Sequence, residues 1–476
     1  AFLSNKYNLL FILILLFAFV IRFFYFVKLN GQPCWWDECD YLSMGKGLFG
    51  QLDYPWTVQR PVLFPLLTGF FFFIGLSESA VRFLISLIPS IGVIIVTYFL
   101  GKRMYNEKVG LIGMSLMAVF WVLMFDSFRF HTDALALLFV MLAIYFFWRY
   151  YIEEKNNKKL WLLGLFIALA FLVRIVYALF VVLIILYLLI TERFRIFKEK
   201  GLWIAALTYI ITLIPFFIWS KIKLGSYTAF AFGYTSYSYK AENLPIAWHI
   251  FPYFQLFTQM ILFVIFLLAL FYILFELVIG YDAINKNKKL KAHLFLLLLI
   301  LIPLIYFVFI ERSAGEPRWF VFFGISIFYF IGVLLEEIYD LISKNSSKYL
   351  AVIVVLAVLF FGGYQELKIG NSIMIEKSTS FIQLKYAGEW LNKNSNKDDT
   401  ILTKSVPEIA YYSGRKTSGL PGDTTNILLE INKLKPKYII VAPFDQATQE
   451  IFEFPSKYPN NLKPVNAYFL DAEKKQ

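Results

Sequence analysis

The sequence contains little charge for its length. Only 16% of its 476 residues are charged, whereas 59% are hydrophobic and 20% aromatic, and the mean hydropathy is +0.65. A soluble domain of this size could not keep so much apolar surface out of water, and several apolar runs approach the ~20 residues that cross a bilayer. The composition therefore excludes a soluble protein and predicts a polytopic membrane protein.

The chain also lacks the signatures of nucleotide and nucleic-acid binding. It has no glycine-rich phosphate loop, and no Rossmann-like unit precedes the membrane part. The net charge of +12 lies mainly in short loops between apolar runs, where basic residues set membrane topology. A nucleotide-sugar donor is therefore disfavoured, and no nucleic-acid partner is expected.

Histidine and cysteine are scarce, with three and two copies. No second histidine stands at ligand spacing from His131, so no zinc site is predicted and no cofactor is assigned. A divalent metal could still assist departure of a phosphate, but the sequence offers only scattered acids for it. Cys34 and Cys39 could form a small disulfide in an oxidising compartment, and two free cysteines are at least as good an interpretation.

Eleven apolar runs are predicted to span the membrane. They are 7–29, 80–100, 109–125, 133–150, 160–175, 176–191, 202–219, 250–280, 293–310, 318–336 and 349–364. With the N-terminus in the cytoplasm, the basic stretches GKRMYNEK, EEKNNKK, ERFRIFKEK and NKNKKLK all lie inside. This orientation requires 61–76 to be a helix along the outer surface, and it treats the first run as an uncleaved anchor.

After residue 364 the composition becomes that of a soluble region. The stretch STSFIQLKYAGEWLNKN has apolar residues at helical spacing, and DTILTKS, KYIIVAP and NAYFL are typical of strands. The helical apolar positions are Phe381, Leu384, Ala387 and Leu391. We therefore expect a membrane domain at 1–365, with its first outer loop at 30–79, and a small extracytoplasmic α/β domain at 376–476.

The stretch CWWDECDY, residues 34–41, places two carboxylates side by side at the membrane surface. Asp37 and Glu38 could favour a helix start by ~1 kcal/mol. They could also do chemistry, because aromatic surroundings and a neighbouring acid raise a carboxylate pKa toward the range of a general base. Trp36 and Tyr41 are candidate substrate contacts beside them.

Two further outer loops carry ionisable residues at membrane depth, where they are costly and usually functional. FDSFRFHTDALALL places Asp126, Arg129, His131 and Asp133 in a short turn, although Asp133 could simply cap the next helix. ERSAGEPRWF contains Arg312 and Arg318, whose planar guanidinium groups suit a phosphate. The alternative interpretation of ERSAGEPRWF is an ordinary Arg-Trp anchor at the membrane interface.

In order, the segments WWDECDYLSMGKGL, QRPVLFPLLTGFFFFIGLSESAVRF, RFHTDALALLF and EPRWFVFF resemble the GT-C glycosyltransferases. The resemblance covers roughly residues 1–340. It is strongest with the branch that contains the protein O-mannosyltransferases and the aminoarabinose transferases of lipid A. The first segment is similar to its Asp-Glu-x-x-Tyr motif, and Thr132-Asp133 to its second-loop Thr-Asp. The sequence departs from the family in two places. EPRW stands where relatives usually have an Arg-Tyr pairing, and one proline, Pro61, begins the surface helix where relatives often have two.

The resemblance implies a GT-C-like fold of about 11 transmembrane helices with juxtamembrane surface helices. It implies a plasma-membrane hexosyl- or pentosyltransferase that moves a sugar from a polyprenyl (dolichyl or undecaprenyl) phosphate to a protein, lipid or glycan acceptor on the outer face. Transfer is expected to invert the anomeric centre. Asp37 would be the catalytic base with Glu38 beside it, Asp133 a second acid, and Arg318 a phosphate contact. Arg312, Arg129 and His131 would assist at the phosphate.

The sequence leaves open two functions of other classes. A lipid-linked sugar transporter or flippase would have charged or broken helices at mid-membrane, often in two related halves, and no such repeat is present. A non-catalytic membrane scaffold would bind partners through its C-terminal part. It would tolerate loss of the acid pair at Asp37 and Glu38 but not deletion of 376–476.

Overall fold

The computed structural model describes residues 6–57, 60–229, 259–311, 316–443 and 448–468. The first half of these residues forms eleven α-helices. They are α1 (Lys6–Lys28), α2 (Trp36–Leu48), α3 (Leu63–Phe73), α4 (Glu78–Arg82), α5 (Ile88–Met104), α6 (Glu107–Val119), α7 (Trp121–Asp126), α8 (Asp133–Phe146), α9 (Trp161–Val173), α10 (Leu179–Glu192) and α11 (Lys200–Leu224).

The second half continues with four long helices and then a region of shorter elements. The helices are α12 (Met260–Ile279), α13 (Lys288–Ile305), α14 (Phe323–Asn345), α15 (Lys348–Lys377), α16 (Ile382–Asn394), α17 (Val406–Ser413), α18 (Thr424–Leu434) and α19 (Gln449–Lys457). Short π or 3-10 segments adjoin many of them, at Phe83–Leu87, Phe147–Glu153, Asn157–Leu160, Ile175–Ala178, Arg193–Lys198, Tyr281–Ala283, Tyr306–Glu311 and Pro317–Phe320.

Eight of the described helical stretches are long and apolar enough to cross a membrane. They are Lys6–Lys28, Glu78–Met104, Asp133–Glu153, Ile175–Lys198, Lys200–Leu224, Met260–Ile279, Lys288–Ile310 and Lys348–Asn394. The protein is thus an integral membrane protein, as predicted. Three other predicted spans also form helices, but α6 and α9 have only 13 residues each and α14 carries acidic residues in its second half. The count of eleven spans stays a prediction.

The predicted surface helix at 61–76 is α3, whose 11 residues are too few to cross a bilayer. It packs closely against α2, because both helices have glycine where they touch. A Cβ placed on Gly45 of α2 would lie 2.7 Å from the carbonyl oxygen of Pro65 in α3. Gly69 of α3 faces the Gly45 backbone in the same way. This contact fixes the helix that begins at the acid pair.

The helices enclose one large apolar core, and a charged side chain buried in it is held by hydrogen bonds. Arg22 of α1 is fully buried, and its guanidinium donates to Ser90 Oγ at 3.1 Å and to the carbonyl of Ala118 at 2.7 Å. A buried charge is tolerated only when such hydrogen bonds replace its water. These bonds tie α1 to α5 and to the end of α6, beside the loop that reaches the site.

Residues 382–443 and 448–468 are called here the C-terminal α/β region. Its three strands are β1 (Thr400–Thr403), β2 (Lys416–Gly419) and β3 (Tyr438–Ile440), in the order β2-β1-β3 and all parallel. The helices α17 and α18 connect them, as parallel strands require. The predicted helix and the first two predicted strands are confirmed by α16, β1 and β3. The predicted strand at NAYFL is wrong over 466–468, which have no regular structure, and its last two residues lie outside the described part.

Candidate active site

The start of α2 determines how the two neighbouring acids are used. Trp35 precedes the helix with extended backbone, and its N–H donates to Glu38 Oε2 at 2.7 Å. A carboxylate at this position satisfies a backbone N–H that has no partner within the helix. Capping therefore accounts for part of the role of Glu38, whereas Asp37 has other partners.

A disulfide closes the turn that leads into α2. Cys34 and Cys39 are bonded, with Cα atoms 5.4 Å apart, and both residues are buried. Of the two interpretations that the sequence left open, the structure contains the disulfide. Because the bridge encloses Asp37, it restricts the backbone on both sides of that residue.

Asp37 lies between two arginines from distant parts of the chain. Arg60 forms an ion pair with Oδ1, and Arg318 Nη2 donates to Oδ2 at 2.7 Å. Burial tends to raise the pKa of this carboxyl, but the charges of Arg60 and Arg318 together hold the pKa well below its usual range. Asp37 is therefore ionised at neutral pH, and its side chain keeps 30% of its surface exposed.

Arg60 is itself held by a second acid and an aromatic ring. Its Nε donates to Asp40 Oδ2 at 3.0 Å, and its guanidinium lies 4.9 Å from the ring centre of Tyr41. Asp40 Oδ1 also accepts hydrogen bonds of 2.8 Å from the hydroxyls of Tyr54 and Thr57. Arg60 thus links the loop after α2 to the helix start, in the position needed to contact Asp37.

Glu38 forms a buried ion pair with Arg129 of the second loop. Arg129 Nε donates to Glu38 Oε1 at 2.8 Å, a second guanidinium nitrogen contacts Oε2, and the N–H of Phe130 also donates to Oε1 at 2.8 Å. Gln32 accepts from Arg129 at 2.8 Å, and the ring of Trp35 lies 4.0 Å from the guanidinium. With both side chains at 1–2% exposure, the pair joins two loops and is closed off from solvent.

The second loop brings together Asp126, His131 and Asp133. His131 Nδ1 lies 2.7 Å from Asp126 Oδ1, and Asp133 forms an ion pair with Arg174. The second oxygens of Asp126 and Asp133 are buried without a hydrogen-bond partner. One ligand atom from each of the three residues lies within 4.8 Å of the others, so a proton or a divalent cation would satisfy these oxygens. Burial and the charge of Asp133 raise the pKa of Asp126.

A cavity of about 710 Å³ opens beside Asp37. Its polar side has Asp37, His131 and Arg318, and its apolar side has side chains from α7 and α15. The full lining consists of Trp35, Trp36, Asp37, Trp121, Val122, Phe125, His131, Glu316, Arg318, Ile373, Lys377, Phe381 and Glu408. A ligand with an anionic group and an apolar tail would match both sides at once.

Comparison with known proteins finds solved structures with a similar fold. ArnT from Cupriavidus metallidurans in its apo state superposes with a TM-score of 0.65 at 12% identity, covering 94% of this chain and 91% of that one. The chain therefore has an ArnT-like fold. ArnT bound to undecaprenyl phosphate superposes with a TM-score of 0.59 at 12% identity, covering 94% of this chain and 90% of that one.

Further comparisons find another fold neighbour and a family model that matches part of the chain. The archaeal oligosaccharyltransferase AglB from Archaeoglobus fulgidus, in complex with an inhibitory peptide and a dolichol-phosphate, superposes with a TM-score of 0.59 at 13% identity. The match covers 89% of this chain and 69% of AglB. Residues 59–219 match the family described as dolichyl-phosphate-mannose-protein mannosyltransferase. No curated protein sequence matches the chain.

Within this fold, the residues singled out from the sequence separate into three groups. Four of them line the cavity, namely Trp36, Asp37, His131 and Arg318. Four others lie buried behind it as partners of charged groups, namely Glu38, Tyr41, Arg129 and Asp133. Arg312 lies outside the described residues.

Sequence reasoning missed two arginines that contact the candidate acids. Arg60 precedes Pro61 in the segment identified as the surface helix, and Arg174 stands at the end of α9. Each is a lone cation next to a long apolar stretch, where a charge is costly unless it has a partner. This cost indicates that each arginine has an acidic partner, but the sequence does not show which acid it contacts.

Proposed function

We propose that the protein transfers a sugar from a polyprenyl-phosphate carrier to an acceptor hydroxyl, within the cavity beside Asp37. The observation that carries this proposal is that one cavity joins an ionised carboxylate, a cationic group and an apolar wall. The GT-C neighbours crystallised with undecaprenyl phosphate and dolichol-phosphate support a carrier of this class. The acceptor belongs to a protein, lipid or glycan.

The two sides of the cavity suit the two ends of the donor. Trp121, Val122, Phe125 and Ile373 offer apolar surface for the first isoprene units. Arg318 and Lys377 are the cations that line the cavity among the described residues, and they would hold the phosphate. The sugar would then lie over Asp37, with its anomeric carbon between the phosphate and the acceptor.

Arg318 gives a physical link between donor binding and the strength of the base. In the structure it donates both to Asp37 at 2.7 Å and to Glu316 at 2.6 Å. A phosphate arriving at Arg318 competes with Asp37 for the guanidinium, which leaves one oxygen of Asp37 free and raises its basicity. The base becomes effective when the donor is present.

The transfer step needs one base and one displacement. The acceptor oxygen attacks the anomeric carbon, Asp37 takes the hydroxyl proton, and the bond from that carbon to the phosphate oxygen breaks. The lipid phosphate leaves with the bonding electrons, and its charge is stabilised by Arg318 and Lys377. A single displacement inverts the anomeric centre.

A divalent cation fits the donor set of Asp126, His131 and Asp133, because two buried carboxylate oxygens there have no hydrogen-bond partner. When bound, such an ion would add positive charge on the phosphate side of the cavity. Arg174, paired with Asp133, supplies part of that charge from the chain itself.

The distribution of basic loops supports an extracytoplasmic cavity. Lys288 contacts Glu153 at 2.6 Å and Arg103 also pairs with Glu153, so the basic loops 101–108, 153–159 and 285–291 meet at one end of the bundle. The segment Phe83–Leu87, where Ser86 bonds to the carbonyl of Arg129 in the second loop, continues into α5, which runs to this basic end. By the positive-inside rule the basic end faces the cytoplasm and the cavity faces outward.

The direct test is turnover of a labelled polyprenyl-phosphate mannose by purified protein in proteoliposomes. We expect polyprenyl phosphate to be released as labelled sugar appears on an acceptor from the native membrane fraction. Movement of the intact donor between leaflets, without cleavage of the phosphate–sugar bond, would instead identify a flippase.

Replacing Arg318 should weaken donor binding. Arg318→Ala removes a charge-assisted hydrogen bond to phosphate, so we expect the KM for the donor to rise roughly tenfold or more. The measurement is the donor KM in steady-state assays. Arg195→Ala, an exposed arginine, is the matched control. An unchanged donor KM in Arg318→Ala would contradict the phosphate assignment.

The pH dependence of kcat/KM should report Asp37. Its pKa is lowered, so the base stays active down to pH values below about 4 and is lost only as pH falls further. Arg60→Gln removes one of the charges that lower this pKa, so the acid limb should move to higher pH. Arg149→Gln, which alters an exposed pair with Glu154, should leave the limb in place.

A further inference from the structure

The C-terminal α/β region contacts the loop that carries Asp37 at several points. Lys385 Nζ donates to the carbonyl of Gly31 at 2.6 Å, and Phe381, the residue just before the region, has its ring centre 6.3 Å from that of Trp35. Tyr411 donates to Glu78 Oε2 at 2.9 Å. These contacts involve residues on both sides of α2, so the region packs against both ends of the first outer loop.

One of these contacts reaches the disulfide itself. The backbone N–H of Cys34 donates to the hydroxyl of Tyr412 at 2.7 Å. Cys34 is bonded to Cys39 in the first turn of α2, two residues beyond Asp37. The Tyr412 hydroxyl is thus connected to the turn that holds Asp37 by one hydrogen bond and one covalent bridge.

Tyr412 is itself rigidly held. A Cβ placed on Gly388 of α16 would lie 2.5 Å from Cβ of Tyr412, so the two helices touch at this position. α16 is anchored in the apolar core of the region through Leu384 and Leu391. The hydroxyl therefore has a fixed position from which to hold the Cys34 amide.

We infer that Tyr412 is a positioning residue for Asp37, and that the C-terminal α/β region acts as a clamp on the disulfide-closed turn. Cys34 is buried, and its backbone N–H donates to the Tyr412 hydroxyl. The clamp keeps the Asp37 carboxylate aligned with Arg60 and Arg318, and through them with the donor. The catalytic part of this inference rests on the proposed function, and the structural part does not.

The test compares Tyr412→Phe with Tyr411→Phe in the full-length protein. Both changes remove one hydroxyl that bonds across to the membrane part, but only Tyr412 bonds to the turn. Hydrogen–deuterium exchange should accelerate in peptides covering 32–39 for Tyr412→Phe and stay at the unmodified rate for Tyr411→Phe. Thermal unfolding of both variants shows whether they fold alike.

Turnover of polyprenyl-phosphate mannose supplies the second readout. We expect kcat to fall about five-fold in Tyr412→Phe with the donor KM unchanged, because one neutral hydrogen bond is lost. Unchanged exchange in 32–39, or equal changes in both variants, would overturn the inference. Faster exchange, together with no transfer by the unmodified protein from any of a panel of labelled polyprenyl-phosphate sugars, would leave the clamp standing and refute the proposed function instead.

Discussion

Asp37→Asn should lower kcat by roughly 10²–10⁴-fold, the usual contribution of a general base. The asparagine side chain has the same size and can still accept a hydrogen bond, but it cannot take the acceptor proton. Arg60 and Arg318 would retain a polar neighbour, so we expect the protein to fold and to bind donor. The measurement is transfer of labelled sugar under saturating donor.

Asp53→Asn is the matched control, because Asp53 is an exposed acid in the same loop. It should transfer sugar at the unmodified rate. If Asp37→Asn retained turnover close to that of Asp53→Asn, Asp37 would not be the base, and the proton would have to go elsewhere in the cavity.

Breaking the Glu38–Arg129 pair should have the largest effect on stability. Glu38→Gln leaves the Arg129 guanidinium buried beside a neutral group, which costs about 3–5 kcal/mol for a fully buried pair. Arg129→Met leaves the Glu38 carboxylate with backbone donors only. We expect each single variant to lower the Tm by several degrees in detergent, measured by intrinsic fluorescence.

The double variant tests whether the two residues act as one unit. Glu38→Gln with Arg129→Met should lose less stability than the sum of the single variants, because no buried charge remains. Glu107→Gln breaks an ion pair with Lys102 that is 29% and 43% exposed, and it should change the Tm little. Additive losses in the double variant would show that the pair is not coupled.

The sequence predicts the class of fold well, because apolar runs of span length and basic loops follow directly from the physics of the bilayer. It predicts fewer details where helices are short or broken. α6 ends at Val119, and the chain turns at Phe120 before α7, within what the sequence presents as one apolar run at 109–125. Tertiary packing, rather than hydropathy, determines that break.

In the candidate site, too, the sequence predicts some residues, whereas only the fold shows how others pair. Adjacent acids in an aromatic loop indicated Asp37, and the structure places it in the cavity. The identical local signal indicated Glu38 equally, yet Glu38 is buried against Arg129, which comes 91 residues later. Sequence spacing does not reveal such a partner. Likewise, Arg60 and Arg318 approach Asp37 from 23 and 281 residues away, and only the fold brings them together.

The measurement that tests the account most directly is photo-crosslinking of a diazirine-bearing polyprenyl phosphate to the purified protein, with the labelled peptides mapped by mass spectrometry. We expect labelling of 121–125 and 373–377, reduced by excess undecaprenyl phosphate and by Arg318→Ala. Labelling confined to other segments, or unaffected by either competitor or substitution, would contradict a carrier site beside Asp37.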